Sequence, residues 1–101
     1  MHEDILLSNE RIDQLYSSKI KIIQSSEVFS FSIDAVLLAD FADSLKKKNS
    51  KIVDLCAGNG AVGLFLSQKV NGKIIQVEIQ KRLADMARRS ILLNNLEDKI
   101  T

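Results

Sequence analysis

Apolar and polar residues alternate over Lys19-Ile20-Lys21-Ile22-Ile23, a two-residue period that predicts a short strand. The segment before it, Ile5 to Tyr16, is polar with scattered aliphatics, and Ser25, Ser26 and Glu27 after it make a turn. From Ile33 the period lengthens to that of a helix. Val36, Leu37, Phe41 and Leu45 fall on one stripe of a helix running to about Leu45, with Ser32 as its N-cap, Asp34 in its first turn and Lys46 to Lys48 at its end. Strand Lys51–Leu55, helix Ala61–Lys69, strand Lys73–Val77 and helix Gln80–Asn94 then follow, and Leu96 to Thr101 reads as a loop and the first residues of a third strand. A β-α-β-α order with right-handed crossovers builds a parallel sheet with helices against it.

The four glycines all lie between residues 58 and 72. Gly58, Gly60 and Gly63 fit G-x-G-x-x-G directly after a predicted strand, a turn in which small residues let backbone approach a ligand and the next helix pack closely. The spacing fits any mononucleotide-type fold, and Asp54, four residues ahead of Gly58, narrows it. A dinucleotide sets its pyrophosphate on the following helix N-terminus, where a neighbouring carboxylate would repel it. S-adenosylmethionine instead presents an ammonium and a sulfonium, and a strand-end acid accepts charge-assisted hydrogen bonds from the ammonium. The helix end is then left for the methionine carboxylate. Glu78 ends the next strand twenty residues after Gly58 and is expected to face the ribose.

Composition sets the outer bounds. The chain has 101 residues, 46% hydrophobic and 27% charged, with a net charge of +1, so it is one small domain and not a strongly basic nucleic-acid module. No apolar run approaches the roughly eighteen residues of a membrane span. The opening Met-His-Glu-Asp is polar and acidic, unlike a signal peptide, and the single cysteine forms no internal disulfide, so a cytoplasmic chain is the simplest reading. That cysteine, Cys56, fills a small-residue position in the turn and has no histidine nearby to make it a nucleophile. His2 is a terminal residue without a second ligand, and no metal is expected. Lys81, Arg82, Arg88 and Arg89 read first as a solvated helix face and second as a contact for an RNA backbone. Phe29 and Phe31 alternate as core-facing strand residues do.

Glu10-Arg-Ile-Asp13, Phe29-Ser-Phe-Ser-Ile-Asp-Ala35, Val53-Asp-Leu-Cys-Ala-Gly-Asn-Gly60, Val77-Glu-Ile-Gln80 and Leu83-Ala-Asp-Met-Ala-Arg-Arg-Ser90 together resemble the amino-terminal part of the bacterial "small domain" methyltransferases. The resemblance is strongest to the enzymes that methylate N6 of an adenine beside the anticodon of a valine tRNA. It implies an α/β, Rossmann-like (class I methyltransferase) fold, present here as a β-hairpin and helix plus the first βαβα, with an amino-terminal extension over 1–31 and the first part of the cofactor domain over 32–101. It also implies S-adenosyl-L-methionine as cofactor, held by Asp54, Gly58, Asn59, Gly60, Glu78 and Ile79, with Phe31 and Asp34 closing over it.

These enzymes act through an Asn-Pro-Pro-aromatic motif that positions the target amino group and stacks the base. The chain has no proline. It is therefore expected to be the inactive, weakly binding cofactor half of a longer tRNA methyltransferase, with no catalytic residue of its own. The alternative is a non-catalytic nucleotide-binding or self-associating module that pairs across its open sheet edge into a homo-oligomer.

Overall fold

The computed structural model describes residues 5–14, 19–27, 33–45, 51–55, 57–70 and 72–101. Phe29, Phe31, Ser32, Lys46 to Lys48 and Cys56 lie outside these, as does His2. Seven elements follow in order: β1 (Glu10–Gln14), β2 (Lys21–Ser25), α1 (Ile33–Leu45), β3 (Ile52–Leu55), α2 (Ala61–Ser67), β4 (Ile74–Val77) and α3 (Lys81–Leu93). The polar segment before the first expected strand is itself a strand. β1 pairs antiparallel with β2, setting Glu10 opposite Ser25 and Gln14 opposite Lys21. β3 and β4 are parallel, with Asp54 in register with Gln76. On the other side of β4 the third strand begins where expected: Ile100 bridges Ile74 in parallel, and the Gln76 amide donates to the Thr101 carbonyl at 2.9 Å.

The two-residue strand period divides the β3–β4 pair into unlike faces. Ile52 and Ile74 pack with Leu64, Leu66, Val70, Ile91 and Ile100 into the main core, so Asp54 and Gln76 share the helix-covered side. On the opposite side Val53, Leu55 and Val77 are exposed. Strands apolar on both faces belong to parallel sheets covered on both sides, and the described residues cover one.

Helix α1 corrects the expected stripe at Leu37 and Phe41, while Val36 is half-buried and the Leu45 side chain lies outside what is described. Ala35, Ala39 and Ala42, at helical spacing, pack on the core beside α2, while Leu37, Leu38 and Phe41 stay more than half exposed. Small side chains let two helices approach closely, so the alanines and not the larger residues face inward. An ion pair of 2.7 Å between Asp40 and Lys69 joins α1 to the end of α2.

The hairpin lies against α3, whose buried residues Leu83, Met86, Ala87, Ser90 and Ile91 form one helical stripe. Ile23, Leu83 and Met86 make a second small core there. Strand β2 would leave its outer edge unpaired, and side chains take the place of a third strand. The Lys21 amide donates to Asn94 Oδ1 at 2.8 Å, and Asn94 Nδ2 donates to the Lys21 carbonyl at 2.5 Å. The Ile23 amide donates to Ser90 Oγ at 2.9 Å, and Asn59 Nδ2 donates to the Ile23 carbonyl at 3.3 Å. Four edge groups are thereby satisfied by three side chains, which blocks pairing with another chain along this stretch. Arg89 adds an ion pair to Glu10, whose side chain is 1% exposed, and donates to the Ile5 carbonyl at 3.0 Å.

Candidate ligand-binding turn

The turn between β3 and α2 is built by two left-handed residues, Gly58 at φ +61° and Gly60 at φ +91°. Side chains other than glycine adopt this conformation at a cost, which accounts for both. Beyond φ, their surroundings differ. A Cβ on Gly58 would meet nothing within 4 Å, so that side of the turn is open for a ligand to approach. A Cβ on Gly60 would sit 3.2 Å from both the Ala87 Cβ and Gln76 Nε2. Gly63, in the first turn of α2, has no positive φ, but a Cβ there would lie 2.3 Å from Gln76 Nε2. The third glycine is needed for packing alone.

Side-chain hydrogen bonds tie the turn to β2 and to the end of β4. Glu78, just past β4, accepts from the Gly58 amide at 2.7 Å and, through its other oxygen, from the Gln80 amide at 2.9 Å. Asn59 is 5% exposed, and its side chain faces inward and donates to the Ile23 carbonyl of β2. Gln76 Nε2 donates to the Gly60 carbonyl at 3.3 Å. Glu78 thus ties the turn to the start of α3, and each of its oxygens keeps a lone pair for a further donor.

Asp54 stands at the head of the turn with its Oδ2 buried and without a hydrogen-bond partner. Burial pushes its carboxyl above the ordinary carboxylate range, and the nearby Glu78 charge adds to the shift. A bare buried acceptor beside a second carboxylate is a poor place for a phosphate and a good one for a cation bearing N–H donors. Ile79, directly after Glu78, is 97% exposed. Asp34 is in the first turn of α1, with its side chain outside what is described, and Phe31 is outside the described residues.

Gln76 is the site residue that the sequence reading passed over. Its signal was a lone polar residue at the centre of the apolar run Ile74-Ile75-Gln76-Val77. Like Asp54, its register partner on β3, it has a buried oxygen, Oε1, without a partner. Below the turn, Gln76 and Glu78 line a cleft of about 430 Å³ closed by Ala84, Ala87 and Arg88 of α3 and by Ile100. Among the described residues no cluster of three metal-ligating side chains occurs, and no helix is long and apolar enough to cross a membrane.

No family model and no curated protein sequence matches the chain. Solved structures do. It is similar to a protein of Pyrococcus horikoshii described as a transferase, with 21% identity and a TM-score of 0.75 over 94% of this chain and 36% of that one. A similar likeness holds to an S-adenosylmethionine-dependent methyltransferase of Agrobacterium tumefaciens, at 14% identity and a TM-score of 0.72, covering 94% of this chain and 32% of that one. The tRNA (uracil-54, C5)-methyltransferase of Pyrococcus abyssi, solved with S-adenosyl-L-homocysteine, matches at 19% identity and a TM-score of 0.68, covering 91% and 23%. The chain therefore spans little more than a third of the longest-covered of these three structures. At such identities the likeness is one of fold, and that fold is the Rossmann-like α/β fold of the class I methyltransferases.

Proposed function

We propose that this chain binds S-adenosyl-L-methionine and is the cofactor-binding amino-terminal part of a tRNA methyltransferase acting on N6 of adenine. The observation that carries the cofactor reading is the buried, unpartnered Oδ2 of Asp54 at the head of a turn whose Gly58 side is open. The fit follows from the donor set: Asp54 would accept from the ammonium, and Glu78 from ribose hydroxyls through the lone pairs that the Gly58 and Gln80 amides leave free. The backbone of Gly58, Asn59 and Gly60 would lie along the ligand, with exposed Ile79 against its base and Phe31 and Asp34 over it. Bound there, the cofactor supplies a sulfonium methyl for transfer to a nucleophile. The chain's own residues bind and orient it, and none of them is assigned a catalytic step.

The tRNA and adenine-N6 assignments rest on the resemblance of the residue motifs, and a solved tRNA methyltransferase of the same fold supports the RNA substrate while its own target atom differs. Residues 1–31 serve in this reading as an extension that buttresses the turn through β2, and residues 32–101 as the first part of the cofactor domain. The Asn-Pro-Pro-aromatic motif would come from sequence outside these residues, and the enzyme would work in the cytoplasm. The exposed Val53, Leu55 and Val77 face favours a second reading, a module that associates with another copy or another chain.

An amide chemical-shift titration with S-adenosyl-L-homocysteine and, separately, NAD tests the cofactor assignment. The first ligand is expected to shift signals at 54–60 and 78–80, and Asp54→Asn to abolish the response. An equal response to NAD, or one that survives the substitution, would overturn it.

A further inference from the structure

We infer that Gln76 is a positioning residue, a clamp that sets the glycine turn in the shape that receives the ligand; this rests on the cofactor reading given above. The Gly60 carbonyl takes two donors, the Leu64 amide at 3.0 Å, which opens α2, and Gln76 Nε2 at 3.3 Å. One side chain thereby fixes the last residue of the turn and the first hydrogen bond of the helix. The turn and that amide fit each other, since a Cβ on Gly63 would displace Nε2 from its place and one on Gly60 would crowd it.

Filling the space alone would not call for glutamine. Methionine has nearly the same length and suits an apolar strand, whereas glutamine leaves Oε1 buried and unpartnered, a state that costs stability. The amide must therefore act through its donor. Asp54, in register with Gln76 on the neighbouring strand, needs the turn held at a fixed offset if its carboxylate and the open side of Gly58 are to meet one ligand.

The test compares Gln76→Met, which keeps the volume and loses both polar atoms, with Gln76→Glu, which keeps the shape and sets an acceptor against the Gly60 carbonyl. Melting temperature reports folding, amide hydrogen exchange and carbonyl shifts at 58–64 report the turn, and an NMR titration with S-adenosyl-L-homocysteine reports binding. Gln76→Met is expected to stay folded, to exchange its Leu64 amide faster and to bind about tenfold more weakly, with Gln76→Glu weaker still. Unchanged exchange and affinity in folded Gln76→Met would show that the residue only fills space and would overturn the proposal. Should the unsubstituted chain not respond to the ligand, the cofactor reading fails, and the clamp is judged on exchange alone: faster exchange at Leu64 in Gln76→Met upholds it and unchanged exchange refutes it. If Gln76→Met does not fold, Gln76→Glu carries the same comparison.

Discussion

Asp54 shows how a residue suited to a ligand strains the fold without it. Its carboxyl is held above the ordinary range by burial first and by Glu78 second, so the folded chain binds that proton more tightly than the unfolded chain. Stability contributed at this position is then highest below the ordinary value and falls as pH rises through the folded one. Asp54→Asn is expected to raise the melting temperature of the ligand-free chain at neutral pH by a few degrees and to flatten that decline, while removing the response to S-adenosyl-L-homocysteine. Thermal melts from pH 4 to pH 8 with and without ligand measure both effects. Gly63→Ala is the complementary case. Its Cβ would strike Gln76 Nε2, so it should cost about 1–3 kcal/mol alone and much less in a Gln76→Ala background, which a double-mutant cycle by urea denaturation would reveal. The motif glycines were legible in the sequence because their spacing carries them. The residue behind two of them was not, because Gln76 is sixteen positions from Gly60, and a lone polar residue in an apolar run does not say which segment it meets.

At the level of elements, the hairpin depends on α3 more than on itself, since a two-stranded ribbon is marginal alone. Glu10 and Arg89 join the two, with Arg89 also 2.9 Å from Asp85. The hydrogen bond from Arg89 holds the Glu10 carboxyl below its ordinary 4.5, so its contribution is present above that value and lost as pH falls through the lower, folded one. Arg89→Met leaves this buried carboxylate without its cation, with the Leu7 amide still donating to it at 2.8 Å, and is expected to cost about 3 kcal/mol near neutral pH and far less at pH 3. Denaturation at the two values gives the difference. Asn94→Ala should cost about 1–3 kcal/mol by exposing the Lys21 edge groups, with hydrogen exchange at the Lys21 amide rising ahead of global unfolding. The parallel strands and the helices were readable from period alone, to within a few residues at their ends. β1 was anticipated only through the hairpin that the residue motifs implied, because a polar strand that depends on a neighbour for its pairing has no apolar period to show, and the inward face of α1 was not readable, because alanine at helical spacing is silent in a hydrophobic pattern.

For the whole molecule, the deciding feature is a sheet that the described residues cover on one side. Val53 is 53% exposed and Leu55 70%, with Leu37, Leu38 and Phe41 of α1 exposed elsewhere. Such a face is a candidate contact surface for another copy. Light scattering after size exclusion is expected to show concentration-dependent association that Leu55→Glu reduces without lowering the melting temperature; an unchanged profile would mean that this face stays free.

What the sequence determined by itself was local and periodic: the β-α-β-α order, the left-handed turn forced by its glycines, the acids at the ends of two strands, and from these the fold class. Those features depend on spacing within a few residues, which a linear chain displays. Only the tertiary structure decided which residues hold the turn in place, for Glu78, Gln76 and the Ile23 carbonyl reach it across 20, 16 and 36 positions of chain. The same is true of the edge of β2, sealed by Ser90 and Asn94 across 67 and 73 positions. Such contacts arise when the core brings distant segments together and leaves buried polar groups that must find partners, and no short-range pattern records which partners they find.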